Sequence, residues 1–415
     1  MGDAMMPAAE PATRLARLLP RTGAERSLAA AALTCFVGHG VFLSCGMIFA
    51  VRWLGFDAAK IGVGMSVGAV LGLLTPVPAG WLVDHFGARR TSIGFAALAT
   101  LGVAGYAFVW SFPAYCVAVG LVSGSIVGVG IAQSALIGGL LVSGDRTRFK
   151  AYQRSVRNVG LSVGALIAIV PLHLDVPAAY QVALVVGAGC VAISAWCTAN
   201  VGTDSRPERP AGPLAALRDV PFTAMSLLCG LTAIRYSVLT VALPLWITTR
   251  TEAPQQLVSI TLLLNTAMVV LLQVRAARRA DTTRRATGLN LRGSVALGGS
   301  CLLFGFAATG PAEPAVLLLL AGTVVFTVGE MWTSAAGWAF AFALTKEQRH
   351  GQYQATFSLG TSIGAVCGPA LAALLASGGT AGWYLGAAAF VLVGAATTIT
   401  VGWARRTGAG RDEET

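Results

Sequence analysis

Gly80-Trp-Leu-Val-Asp84-His-Phe-Gly87-Ala-Arg89-Arg90 joins two long apolar segments and reads G-x-x-x-D-x-x-G-x-R-R. Gly87 suits a tight turn that needs positive φ, and the paired Arg89 and Arg90 anchor the turn to one face of a membrane. Asp84 is placed to face a helix N-terminus or to pair with an arginine. The spacing sets this stretch apart from an ordinary short loop of glycine and arginine.

The composition around it excludes a soluble globule. Of 415 residues, 55% are hydrophobic and 11% charged, with 50 glycines, whereas soluble domains carry about 25% charged residues. An all-α integral membrane chain follows, with the bilayer as a partner. The net charge of +11 does not indicate a nucleic-acid partner, because the basic residues sit in short gaps between apolar segments and form no single patch. The eight cysteines all fall within apolar segments, with no CxxC pair and no histidine at ligand spacing. They read as packing residues, so no metal site is expected. The apolar run after residue 26 is too long for a signal-peptide core and is expected to remain as a membrane helix.

Windows of about 20 apolar residues predict helices over 27–50, 61–83, 91–111, 114–142, 155–172 and 178–200, then 221–247, 256–274, 288–309, 314–342, 353–376 and 382–403. The chain divides into an N-terminal segment (1–26), a six-helix half (27–200), a polar linker (201–220), a second six-helix half (221–403) and a tail (404–415). Arg52, Lys60 and Arg250 fall on one side of this layout and Arg235 within the seventh helix, while the remaining Lys and Arg share the side of the first residue. The positive-inside rule makes that side cytoplasmic, so both termini, the linker and the tail are expected there.

The halves repeat. Gly80…Asp84…Arg89-Arg90 after the second helix is matched by Ala277…Asp281…Arg284-Arg285 after the eighth. The fifth and eleventh helices begin with Tyr152-Gln153 and Tyr353-Gln354, and continue to Gly160-Leu-Ser162-Val-Gly164 and Gly360-Thr-Ser362-Ile-Gly364. Such repeats place a substrate site near the midplane between the halves. With the loop signature and the repeat together, the whole chain resembles the major facilitator superfamily of transporters. The resemblance implies a pseudo-symmetric twelve-helix fold. It further implies that the first, fourth, seventh and tenth helices line a central cavity, and that the second, fifth, eighth and eleventh form the contact between halves.

Gly64-x-Ser66-x-Gly68, Gly160-x-Ser162-x-Gly164 and Gly360-x-Ser362-x-Gly364 spell G-x-S-x-G, which marks a nucleophile elbow only on a strand-turn-helix beside a His/Asp pair. Inside helices, glycines at i and i+4 make a close-packing face, expected here to serve a rocking contact between halves. No G-x-x-x-x-G-K-[ST] loop is present, so neither hydrolysis nor ATPase activity is expected.

A charge at mid-bilayer costs about 2.5–3.5 kcal/mol on insertion scales, so ionisable residues at depth are functional candidates. Three stand out: His39, Arg235 and Glu330, in the first, seventh and tenth helices. Glu330 is either a proton carrier or cation site, or the structural partner of Arg235. Arg235, with Tyr236 beside it, is alternatively a binder of substrate carboxylate or phosphate. His39 reads equally as a titrating group and as packing. Gln133 and Asn265 offer neutral hydrogen bonds. Trp332, with Trp246 and Trp338, forms either an aromatic wall or an interfacial anchor.

The resemblance also implies a conformational latch for the outward-facing state, carried by Gly80, Asp84, Gly87, Arg89 and Arg90 with Asp145. There Asp145 would pair with the loop arginine, and Asp84 would meet the start of the eleventh helix. The chain departs from the family's multidrug antiporters in having no arginine in Leu121–Gly130 and Ala165 after Gly164, yet Glu330 to Gly368 looks like bacterial efflux members. The expected function is proton-coupled antiport of an amphipathic drug, antibiotic or metabolite, acting as a monomer in a bacterial inner membrane. It would need no cofactor beyond the proton motive force and would confer drug resistance. The alternatives are proton-coupled uptake of an anionic or zwitterionic nutrient and, more remotely, a membrane sensor without flux. For the orientation, a fluorescent protein fused after Thr415 is expected to fluoresce and alkaline phosphatase at the same place to stay inactive; the opposite pattern overturns it.

Overall fold

The computed structural model describes residues 20–202, 214–346 and 349–407, and every regular element among them is helical. The expected N-terminal segment, linker and tail lie for the most part outside these residues. The spans run Gly23–Arg52, Ala58–Leu74 continued by Pro76–Phe86, Ala88–Tyr106, Phe112–Leu140, Ser143–Ile167 continued by Ile169–Leu174, and Pro177–Ala199. The second set runs from Val220–Ala233 through to Leu243–Arg250, then Leu257–Ala277, Thr283–Phe306, Ala312–Ala343, His350–Ser377 and Gly379–Arg406. Among the described residues, 10 helices are long and apolar enough to cross a bilayer alone and the bent second pair makes up to 11. Ala88–Tyr106, which opens on Arg89-Arg90, completes the twelve. Helices are the required solution because hydrocarbon offers backbone groups no partner. Where chains re-enter, side chains cap the free N–H groups: Thr22 accepts from the Glu25 amide at 3.1 Å and Asp57 from that of Lys60 at 2.8 Å.

The opening motif is not a loop. Gly80 to Phe86 end the second span, Gly87 alone makes the turn at φ 88°, and the third span starts at Ala88. The second span itself bends by 43° at Thr75-Pro76. Pro76 withdraws a backbone donor there, and the Thr75 hydroxyl donates back to the Leu71 carbonyl at 2.7 Å, both ordinary causes of a kink.

Packing repeats between the halves as the sequence does. The first span lies against the fifth and sixth, the second against the fourth, and the third against the fourth and sixth. The seventh correspondingly lies against the eleventh and twelfth, the eighth against the tenth, and the ninth against the tenth and twelfth. Across the divide the second meets the eleventh and the fifth meets the eighth and tenth.

The G-x-S-x-G glycines do not serve that divide, contrary to expectation. Gly160 and Gly164 face Leu33, Phe36 and Val37 of the first span, Gly360 and Gly364 face Ser226 and Gly230 of the seventh, and Gly64 and Gly68 face Tyr115 and Ser123 of the fourth. Each face closes a contact within one half, where small residues let two helix backbones approach closely. The close approach between halves is at Gly80, where a Cβ would lie 2.9 Å from the Gly351 carbonyl.

An even number of spans puts both described ends on one face, the terminal face. There the apolar core is continuous across the halves: Phe342 of the tenth span packs with Leu136 and Phe149 of the first half. Toward the opposite face each half keeps its own core, Phe49, Tyr106 and Tyr180 in one and Trp246, Phe304 and Trp383 in the other. The halves are thus joined at the terminal face. Asp84 adds to the joint by accepting the Gly351 and Gln352 amides at 2.7 and 3.1 Å, at the start of the eleventh span. Gln352 in turn accepts the Ala215 and Ala216 amides at 3.1 and 3.3 Å, and Tyr353 donates to Asp219 at 2.7 Å.

The packing sets a test at Gly360. A valine there meets the Ser226 carbonyl, and overpacking of this kind costs about 1–3 kcal/mol. Gly360→Val is expected to lower the thermal unfolding midpoint in detergent and Gly299→Ala, whose site is open, to leave it unchanged; equal midpoints for both overturn the packing.

Candidate functional site

The fifth span begins at Ser143, twelve residues before the predicted start. Its first turns are polar because they face the protein interior and not lipid, so a hydropathy window misreads them as loop. Lys150, Arg154 and Arg157, at i, i+4 and i+7, form one stripe on that helix, and all three line a central cavity of about 480 Å³. The sequence reading missed them, although their spacing was the available signal. Arg235 and Tyr236 of the seventh span and Ser334 and Trp338 of the tenth line the same cavity.

Arg154 joins the halves. It donates to Glu330 Oε1 at 2.5 Å, to Ser334 Oγ at 2.8 Å and to Gln273 Oε1 at 3.2 Å. Glu330 Oε2 accepts from Asn265 at 2.8 Å, and Asn265 also donates to Thr327 at 3.0 Å. Glu330 is therefore in contact with Arg154, and the direct Glu330–Arg235 bridge weighed from the sequence is replaced by Ser334, which accepts from Arg235 at 2.8 Å. Arg235 also donates to the Thr232 carbonyl at 2.9 Å, and the Arg235 and Arg154 guanidinium groups stand 4.7 and 5.4 Å from the Tyr236 ring centroid. Further along the stripe, Arg157 lies 4.0 Å from the Phe36 ring centroid and Lys150 donates to Ser134 at 2.5 Å. Among the described residues no carboxylate lies within ion-pair distance of Arg157, Lys150 or Arg235. The wall thus carries Lys150, Arg154, Arg157 and Arg235, while Glu330, expected at the cavity, does not line it and, with Asn265, stands behind Arg154.

The other expected residues are distributed differently. His39 is not on the cavity wall: its ring lies between Phe36 and Phe42, at 5.9 and 6.2 Å, and its Nδ1 has no partner. Gln133 accepts from Gln153 at 2.8 Å, one layer behind the wall. No aromatic wall of three tryptophans forms. Trp332 packs against the apolar clusters of the second half, Trp246 is buried and donates to the Phe304 carbonyl at 2.8 Å, and Trp338 alone of the three reaches the cavity. At the terminal face Arg89 donates to the Ala199 carbonyl, while Asp145 meets Arg148 at 2.8 Å and Arg21 at 3.6 Å, so it takes these two and not the loop arginine assigned to it by resemblance. Arg148 also pairs with buried Glu25 at 2.8 Å, tying the starts of the first and fifth spans together. Arg90 is exposed. Asp281, the counterpart of Asp84, pairs with Arg285 at 2.5 Å in an exposed site.

A family model described as Major Facilitator Superfamily matches residues 22–336. No curated protein matches the chain. Among solved structures, a bacterial homologue of the iron transporter ferroportin in an outward-facing state is similar at 13% identity over 92% of this chain and 99% of its own, with a TM-score of 0.69. The transporter FucP in its outward conformation matches at 13% identity, 92% and 98% coverage and 0.70. The human organic anion transporter MFSD10 matches at 15%, 90% and 99%, and 0.60. At these identities the likeness is one of fold.

Removing one partner of a buried ion pair costs about 3–5 kcal/mol because the other is left uncompensated. Arg154→Gln is accordingly expected to depress the unfolding midpoint strongly and Arg154→Gln/Glu330→Gln to recover most of it. A double variant no more stable than the single one contradicts the pairing.

Proposed function

Because the chain belongs to the Major Facilitator Superfamily, we propose that it is a proton-driven secondary transporter that exports an amphipathic organic anion by alternating access. The observation that carries this reading is the charge of the wall. Lys150, Arg154, Arg157 and Arg235 line one cavity, and among the described residues only Arg154 of these four meets a carboxylate. An anionic cargo supplies the missing counter-charge, whereas a cation would meet repulsion in a medium of low dielectric constant. The same cavity has apolar walls at Phe36, Ile126, Leu161, Trp338 and Phe357, which suit the cargo's hydrocarbon part. This favours the anionic substrate considered in the uptake reading while keeping the outward direction. In a bacterial inner membrane the interior is negative, so each anionic charge leaving gains about 2.3 kcal/mol per 100 mV.

Glu330 is the residue through which we couple protons. Its carboxylate meets Arg154 and Asn265 at the joint between the halves, so its protonation state sets the charge that the cargo meets. Gly80, Asp84 and the Gly87 turn act as the latch that holds the cytoplasmic end shut, since Asp84 spans the joint to the eleventh helix. Every group in the scheme comes from one chain, so a monomer suffices.

In a pump-deficient bacterial host, expression is expected to lower the accumulation of a fluorescent lipophilic carboxylate several-fold, and a protonophore to restore it. A matched cationic dye should be unaffected, and Glu330→Gln should abolish the effect with the protein still in the membrane. Reduced cation accumulation, or full activity of Glu330→Gln, overturns the reading.

A further inference from the structure

We propose that Arg154 and Arg235, meeting on the Ser334 hydroxyl, are the seat for one singly charged oxoanion, the carboxylate or monoester phosphate head of the cargo. This rests on the anion reading above and goes further, in naming the groups that hold the head and the charge they accept.

Arg154 Nη1 and Arg235 Nη2 each donate to Ser334 Oγ at 2.8 Å, so the two guanidinium groups come together around one oxygen atom, one from each half. Both also flank the ring of Tyr236, whose hydroxyl accepts from Arg235 at 3.4 Å. Two like charges this close, with Arg235 only 5% exposed, need compensation. Glu330 compensates one of them. Among the described residues Arg235 has no carboxylate partner, and its Nε is buried without a hydrogen-bond acceptor. The pair therefore lacks one negative charge and one acceptor, which a single oxoanion supplies together. Guanidinium donors suit oxoanions because their planar forks bind two oxygens at once.

The backbone supports the seat independently. The seventh span is interrupted where Arg235 sits: Val220–Ala233 gives way to a turn at Arg235–Ser237 and a π-helical turn at Val238–Ala242. Such turns cluster at functional sites, and irregular backbone at membrane depth is tolerated where it is buried in protein or lines a cavity. The Thr232 carbonyl, just before the break, also accepts from Arg235. Arg157 and Lys150 stand on the same wall without contact to Ser334. They attract the cargo along the stripe, and the seat itself fixes its head.

The test is binding to purified protein in uncharged detergent, read as the shift of the thermal unfolding midpoint with hexanoate, hexyl phosphate, hexanol and hexylammonium. Hexanoate and hexyl phosphate are expected to raise the midpoint, and hexanol and hexylammonium to leave it unchanged. Arg235→Gln and Arg235→Lys should weaken anion binding by about tenfold or more, since a lysine keeps the charge but loses the fork. Lys150→Gln should weaken it by less than about threefold, as expected of a longer-range contribution. Arg154→Gln, made together with Glu330→Gln so that no carboxylate is orphaned, should also lose the bound anion. Equal anion binding by the wild type and the Arg235 variants overturns the seat while leaving the anion reading intact. Stabilisation by hexylammonium alone overturns both. Binding of hexyl phosphate only in its doubly ionised form contradicts the single charge.

Discussion

The ion pair of Arg154 with Glu330 is the contact on which the rest of the structure depends. It is largely buried and crosses from the fifth span of one half to the tenth of the other. A lone charge at that depth is expensive, so each partner constrains the position of the other. The surrounding groups complete the constraint. Asn265 takes the second oxygen of Glu330, and Gln273 and Ser334 accept from Nη1 of Arg154. Once these spans are fixed, the stripe of Lys150, Arg154 and Arg157 has one direction left to face, the cavity.

The scaffold is symmetric and the chemistry is not. Helix contacts repeat pair for pair between the halves, down to the glycine faces on the fifth and eleventh spans. In the register of those glycines, Arg154 and Arg157 correspond to Gln354 and Phe357 of the eleventh span, which line the cavity without charge. The terminal face shows the same division. Asp84 holds the amides at the start of the eleventh span, while Asp281 is taken up by Arg285 in the open. A repeated frame thus supplies two halves that can move against each other, and unrepeated side chains give the cavity its charge and the joint its hold.

Much of this was legible in the sequence, for identifiable reasons. Apolar runs of bilayer length and the internal repeat depend on local composition, so the spans and the two-half plan could be read directly. Asp84 and Gly87 were legible because turn geometry is local. The fifth span's charges were not, because lysine and arginine in a hydropathy window look alike whether they face solvent or a cavity. Their helical spacing was the signal, and it gains meaning only once the helix is known to start at Ser143. The partner of Glu330 was illegible for a different reason: Arg154 and Glu330 are brought together by the approach of two halves, which no single segment encodes. His39 and Trp246 look functional by type, yet neighbouring aromatic and backbone groups absorb them into the packing.

The central claim is that the cavity selects its cargo by the sign of its charge. The most direct measurement is flux through the purified protein in liposomes, using two solutes of similar size and permanent opposite charge, benzenesulfonate and phenyltrimethylammonium, under an imposed membrane potential. The account predicts movement of benzenesulfonate toward the positive side and exclusion of the ammonium. Movement of the ammonium, with benzenesulfonate retained, would contradict it.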